Sequence, residues 1–456
     1  MNRKINVDLL SIVFLIISLT LLIYVCYKDL FIQKSLSFNA YYYKYYIASV
    51  SLVILSLLSF KLNVNLKKNI IIVLFSILIG LYLVEFYLSY KYHFKEIHHN
   101  INLKKYNKQN KFEFYLELKK KGFDIVPRID PSSYFTVEKH LNEENFFPLA
   151  GISKKITLSC NELGYFSKYE SDRYGFNNND SIWDKINIDI ILIGDSFANG
   201  SCVNRPDNIA DKLKNINDLN VLNLGFAGNG PLIELASLKE YMPNRFKNIV
   251  WLYYEGNDLK NLEIEEKNNT LKKYILNKKY KQNLKNKQLK IDNFLKKKVE
   301  NIIKKEHLKH DLDQNMYNFL INQKSKKFDF LRFLKLYTIR ELTIESIFGI
   351  KVNKNFEKII LEAKKVAKNN NANFIFVYIP EYARYAKKIY NTNSYLNYKD
   401  VKKIILKNDI NFLDLKERFS QKEFEAINLY ATPVGGHFNP VGYNFLAKKI
   451  YGEISK

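Results

Sequence analysis

The sequence predicts an α/β domain built on a parallel sheet and preceded by membrane-spanning helices. Two observations carry this expectation. From about residue 151 onward, short continuous runs of β-branched and aromatic residues alternate with helical stretches, the pattern of a parallel sheet covered on both faces. Before residue 92, three apolar runs occur in a stretch with few charges.

The first run, Leu9 to Tyr27, is interrupted only by Ser11, Ser18 and Thr20. The second, Tyr45 to Phe60, is led in by a tyrosine-rich stretch from Tyr41 suited to a membrane interface. The third, Ile70 to Tyr90, carries Glu85 as its one charge. A helix needs about 20 residues to cross a bilayer, so the first and third suffice and the second is short. Three spans are expected in a membrane region 1–91. A signal peptide fits the first run poorly, because the run is long and lacks a small-residue cleavage site. Arg3 and Lys4 precede it, and Lys61, Lys67 and Lys68 separate the second run from the third. Placing these cations in the cytoplasm puts everything after Tyr90 on the outer side.

Composition narrows the remaining classes. An apolar content of 47% and an aromatic content of 15% over 456 residues exclude a largely disordered chain. Three cysteines exclude a disulfide-dense scaffold. The net charge of +25 invites a nucleic-acid or anionic-membrane partner. Yet Lys, Asn, Ile, Tyr and Phe are abundant together while Gly and Pro are scarce, the skew of an A/T-rich genome. The basicity is also local. Residues 259–345 hold 22 Lys and Arg against 11 Asp and Glu, whereas 151–258 hold 11 against 14. The 259–345 segment reads as a Lys-rich helical insertion. It is either a solvated surface or a docking face for anionic lipid or an acidic glycan. No nucleic-acid motif is present, and no nucleic-acid partner is expected.

Candidate strands are Ile188–Ile193, Asn220–Leu224, Asn248–Tyr254, Asn373–Ile379 and Ile410–Leu413, within a domain spanning 151–456. Residues 92–150 read as a connecting region, with Pro127, Pro131 and Pro148 against a long helix at its end. Four loops follow these strands. The first strand runs into Gly194-Asp195-Ser196-Phe197, where a serine on a strand-to-helix turn exposes its hydroxyl or caps the helix. The second ends in Gly225-Phe226-Ala227-Gly228-Asn229-Gly230, whose glycines let backbone N–H groups approach a ligand or simply form a turn. The third ends in Glu255-Gly256-Asn257-Asp258, with an asparagine amide able to donate or to serve the turn. Near the C-terminus comes Gly435-Gly436-His437-Phe438-Asn439-Pro440.

Together these four loops resemble the SGNH hydrolase family, also called GDSL esterases, whose blocks contribute Ser, Gly, Asn and His in this order. The resemblance covers about 188–452. It implies a flavodoxin-like three-layer α/β/α fold, Ser196 as nucleophile and His437 as base. It also implies an oxyanion hole made by the Ser196 and Gly228 N–H groups and the Asn257 side chain. A serine hydroxyl needs such a base to attack at neutral pH, and three converging donors meet the charge that develops on the carbonyl oxygen. Tyr169-Glu170-Ser171-Asp172-Arg173-Tyr174-Gly175-Phe176-Asn177 is similar to segments preceding the first block in membrane-anchored members linked to bacterial surface polysaccharide synthesis. Its other reading is an edge segment packed beside the sheet.

The family usually places an aspartate three residues before the histidine, and here that position is Val434. Three explanations stand open. His437 works in a dyad oriented by a backbone carbonyl, or a carboxylate such as Glu381, after the fourth strand, orients it, or activity is weak or absent. The other six histidines lie outside the blocks, and no metal site or cofactor is expected. An extracytoplasmic domain permits a Cys160–Cys202 disulfide, with two free thiols as the alternative.

The expected protein is thus a membrane-anchored esterase or O-acyltransferase of the bacterial inner membrane, its soluble domain outside the cytoplasm. Its expected partners are the bilayer, an acyl-ester or glycan substrate (acetyl by resemblance) and a membrane acyltransferase. The alternative is a catalytically inactive binding or assembly module on the same scaffold.

Overall fold

The computed structural model describes residues 2–32, 42–90, 109–131, 146–306, 330–340, 343, 351–385, 396–419, 426–431 and 436–456. The chain divides into two units, Met1–Leu88 and Ser89–Lys456.

The first unit is helical: α1 (Asn2–Tyr27), α2 (Tyr43–Ser59) and most of α3 (Val64–Ser89). Its surface is inverted relative to a water-soluble bundle. Leucines, isoleucines and aromatics along all three helices are exposed, while Ser11, Ser18, Ser49 and Ser56 are buried. Small residues let helices approach closely where lipid offers no hydrophobic drive. Ser18 and Ser56 satisfy their hydroxyls on their own helices, at Phe14 O and Val53 O, both 2.7 Å away. Two stretches, Leu9–Leu30 and Val64–Ser89, are long and apolar enough to cross a membrane, with mean hydropathy of 2.8 and 2.5. The middle run is the short one, as its sequence indicates. At 17 residues α2 rises only about 25 Å, against a hydrocarbon core of about 30 Å.

The second unit holds two sheets. All five expected strands are present in the larger one: β4 (Ile188–Gly194), β5 (Val221–Asn223), β6 (Phe246–Tyr254), β7 (Asn373–Ile379) and β8 (Asn411–Asp414). They are parallel, in the order β5-β4-β6-β7-β8. Alternate residues feed two separate cores. Ile191, Ile193, Trp251, Tyr253, Phe374 and Phe376 face α7 (Pro231–Tyr241), α11 (Lys354–Asn369) and α12 (Tyr398–Lys407). Ile190, Leu192, Val250, Leu252, Ile375 and Val377 face α5 (Ser196–Asn199), α6 (Ile209–Asn217) and α13 (Pro440–Ile454). Helices therefore cover both faces, which explains why the strands lack a polar alternation.

The Lys-rich segment contributes to the first core. Its α8 (Asp258–Glu265), α9 (Asn269–Leu276) and α10 (Gln288–Glu306) bury Leu262, Leu271, Tyr274, Ile291, Leu295 and Val299. Its lysines line the outside of helices that the domain needs. The connecting region is likewise part of this unit. It supplies α4 (Lys111–Lys120) and β1 (Ile125–Pro127). Strand β1 pairs in parallel with β2 (Ile156–Leu158), which pairs antiparallel with β3 (Lys168–Glu170). This three-stranded sheet was not legible in the sequence, and it carries a residue of the site.

Candidate active site

Strand order reverses direction at β4, whose neighbours are β5 and β6. In open α/β sheets that crevice, at the carboxyl ends of the strands, is where ligands bind. Ser196 opens α5 directly beyond β4. The turn depends on Gly194, whose φ of 148° suits glycine and whose added Cβ would lie 2.6 Å from Leu252 O. Asp195 performs the helix capping, accepting from Phe197 N at 2.9 Å. Ser196 is thereby released from the capping role, but its hydroxyl donates to Asp195 Oδ2 at 3.1 Å. No hydrogen bond joins Ser196 to His437 among the described residues. Burial pushes the Asp195 carboxyl up, against hydrogen bonds from Phe197 and Ser196 and the nearby His437.

The second block is held from below. Glu265 accepts from the N–H groups of Gly230, Leu232 and Ile233 at the start of α7. Its carboxyl is pushed up to about 8, by desolvation first. Asn261 Nδ2 donates to Asn229 O at 3.1 Å and Gly228 O at 3.4 Å. Gly228 itself adopts φ 78°, and its N–H has no backbone hydrogen-bond acceptor among the described residues. Asn257 occupies the N-cap position of α8, yet its side chain makes no capping bond and its Oδ1 is buried without a partner. An asparagine at an N-cap ordinarily bonds the helix backbone.

His437 lies on the segment that returns to the bridge between Tyr430 and Phe438. Its orienting partner is Glu162, which the sequence reading missed. Glu162 Oε1 is 2.8 Å from His437 Nδ1, and Oε2 accepts the His437 backbone N–H, also at 2.8 Å. Both side chains are largely buried, 19% and 11% exposed for His437 and Glu162. The carboxylate takes Nδ1–H, which leaves Nε2 as the proton acceptor. Desolvation pulls the imidazole pKa down, but Glu162 and Asp195 outweigh it and the net effect is a rise above 6.5. Desolvation pushes Glu162 up, and the His437 contacts with the Arg128 charge bring it below 4.5.

Glu381 is therefore not the orienting acid. It follows β7, where its backbone N–H donates to Glu255 Oε2 at 2.8 Å. The expectation failed because it looked for a carboxylate along the edge of the main sheet, whereas the carboxylate comes from the β2–β3 turn. Val434 lies outside the described residues, as do the other six histidines.

The structure bonds Cys160 to Cys202, with Cα atoms 5.0 Å apart. Cys202 Sγ lies 3.2 Å from His437 Nδ1. The two sulfurs and the ring nitrogen lie within 4.8 Å of one another, but the bond consumes the thiolates that a metal would require.

The 169–177 segment packs beside the sheet and braces two blocks. Asp172, fully buried, accepts from Tyr174 N, Phe176 N, Asn178 Nδ2 and Trp183 Nε1. Desolvation leaves its carboxyl at about 6 in spite of these bonds. Asn177 Nδ2 then donates to Asn199 O at the end of α5, and Asn178 Nδ2 to Asn223 O at the end of β5, both at 2.8 Å.

No protein-family model matches the chain, and no curated protein matches it either.

Proposed function

We propose that this protein is a membrane-anchored serine esterase or O-acyltransferase of the SGNH type, acting on acyl esters of a surface glycan. The observation that carries the reading is the Glu162–His437 pair, with one contact to the ring and one to the backbone N–H, both at 2.8 Å, on a chain whose Ser196, Gly228 and Asn257 follow three parallel strands. The strand order is that of flavodoxin-like sheets, which supports the resemblance at the level of architecture.

In this reading His437 Nε2 takes the proton of Ser196 Oγ as the oxygen attacks the acyl carbon. Reaching His437 requires the Ser196 hydroxyl to leave Asp195, and catalytic hydrogen bonds in empty sites are commonly loose. Glu162 keeps the imidazole in the Nδ1–H tautomer and stabilises the imidazolium. The N–H groups of Ser196 and Gly228 and the Asn257 amide receive the oxyanion. His437 returns the proton to the leaving alcohol, and the acyl group passes to water or to a second hydroxyl. Acetyl as the acyl group, a glycan as its carrier and a membrane acyltransferase as partner follow from the resemblance. The apolar helices and the disulfide favour an anchor in the bacterial inner membrane with the domain on the extracytoplasmic side.

The test is p-nitrophenol release from its acetate ester by the full-length protein in detergent. Turnover that Ser196→Ala abolishes is expected. A folded wild-type protein with no Ser196-dependent turnover on acetyl esters or acetylated glycans would refute catalysis. A second reading, a non-catalytic assembly module, is favoured by the Ser196–Asp195 hydrogen bond. Ser196→Ala that retains function in cells would select it.

A further inference from the structure

Glu162 reaches His437 from outside the main sheet. It stands on the turn between β2 and β3, closed by Ser159 N to Ser167 O at 2.8 Å and Ser167 N to Cys160 O at 2.9 Å. Cys160 is two residues before Glu162, and its partner Cys202 is six residues after Ser196. The disulfide therefore crosses from the turn that carries the carboxylate to the segment that follows the Ser196 helix. It does so at the imidazole itself, with Cys202 Sγ 3.2 Å from His437 Nδ1. The body of the hairpin has separate attachments. Arg128 donates to Ser159 Oγ and Ser201 Oγ, and Lys168 N donates to Asn204 Oδ1. Opening the S–S bond leaves those in place and frees the tip.

We propose that the Cys160–Cys202 disulfide is a positioning element of the Ser196–His437–Glu162 site, so that its reduction by a thiol lowers activity by releasing Glu162 from His437. The chemistry is two-electron exchange. Two thiols RSH give up their hydrogens and leave as RS–SR, while Cys160 and Cys202 become two thiols. The inference rests on the reading under Proposed function, but it also has a consequence independent of turnover. The charged groups facing His437 are Glu162 from the turn, Asp195 ahead of α5 and Arg128 beyond β1. Reduction removes the first and adds a Cys202 thiol beside Nδ1, whereas Cys160→Ser/Cys202→Ser removes the first and adds no titratable group, so that variant carries the titration test. Losing Glu162 leaves desolvation less opposed, so the His437 titration moves to lower pH.

The full-length protein in detergent is compared oxidised, reduced with dithiothreitol, and as Cys160→Ser/Cys202→Ser, with alkylation and mass spectrometry reporting the thiols. A fall in kcat of about 10²-fold is expected, the size of an ångström-scale misplacement at a catalytic group. The acid limb of the pH profile should move down with it. In a Glu162→Gln background, reduction should cause no further loss, which separates positioning from general loosening. His437 titration, followed by NMR of histidine labelled at Cε1 and assigned with His437→Gln, should shift down in Cys160→Ser/Cys202→Ser even if the protein hydrolyses no ester. Unchanged His437 titration in that variant would overturn the proposal. So would unfolding of the reduced protein by circular dichroism, because the hairpin body is argued to stay docked.

Discussion

Replacing Gly436 by alanine should disable the site while leaving the fold nearly intact. An added Cβ there would sit 2.3 Å from Glu162 Oε1 and 2.8 Å from its Cδ, where ordinary contact begins at 3.4 Å. Something must move, and the carboxylate, at the end of a flexible side chain, is what moves. A retreat of about 1 Å stretches the Oε1–Nδ1 hydrogen bond beyond the range in which it holds its strength. That bond is 2.8 Å in the native site. A hydrogen bond to a charged group is worth about 1.5–3 kcal/mol, which converts to roughly 10- to 150-fold in rate. Loss of the correct imidazole tautomer extends the range toward about 10⁴-fold, the effect of replacing the orienting carboxylate by its amide in a serine triad. Stability should fall by no more than that hydrogen bond, about 1.5–3 kcal/mol, since no backbone atom is among the nearest contacts. The assay is initial-rate hydrolysis of p-nitrophenyl acetate beside a thermal unfolding scan. Gly436→Ala with kcat within threefold of wild type would refute the argument that Glu162 orients His437. A large drop in unfolding temperature would show instead that the space around Gly436 is structural.

Three further outcomes follow from the same geometry. Glu162→Gln should lower kcat by about 10²-fold or more and shift the acid limb of kcat/KM to lower pH, because the carboxylate holds the imidazole pKa up; an unmoved limb counts against the pairing. Asn257→Ala should cost about 10²–10³ in kcat with KM little changed, the loss of one oxyanion donor; a selective rise in KM would reassign Asn257 to substrate binding. The Glu162–His437 pair should stabilise the domain most between the unfolded values of 4.5 and 6.5. Its raised histidine pKa makes that contribution fade as pH climbs through the folded value, and its lowered glutamate pKa makes it fade as pH falls below 4.5. Activity should instead rise with pH over the upper limb, as His437 becomes a base. Unfolding scans in which Glu162→Gln is most destabilised at alkaline pH would contradict this sign.

Much of the sheet was legible because burial on two faces writes itself into sequence. Ile190–Ile193 and Phe374–Ile379 are continuous apolar runs of the kind that parallel strands covered on both faces carry. The loops after them were legible because Ser196, Gly228, Asn257 and His437 each stand directly beyond such a run or on the last loop before a capped helix. The small sheet left no such trace. Strands β1, β2 and β3 have three residues each, too few for a period to emerge. The buried face of the Lys-rich segment was masked by composition. Leu271, Tyr274, Ile291 and Leu295 are spaced to bury one side of α9 and α10, but the surrounding lysines dominated the reading.

Glu162 was the harder case, and the information to find it was nevertheless present. It is 275 residues from His437, in Cys160-Asn161-Glu162-Leu163-Gly164, a stretch that carries no family block. Searching for a carboxylate along the sheet led to Glu381. The disulfide expectation, followed further, leads elsewhere. Joining Cys160 to Cys202 brings the Cα atoms within about 7 Å, and two residues of extended chain add at most about 7 Å more. Every carboxylate that close to Cys160 is then within reach of the helix that Ser196 opens, and the one two residues away is Glu162. A covalent pairing is thus a distance restraint on its neighbours as well as on itself. Here that restraint names the third member of the candidate triad, where residue order along the main sheet does not.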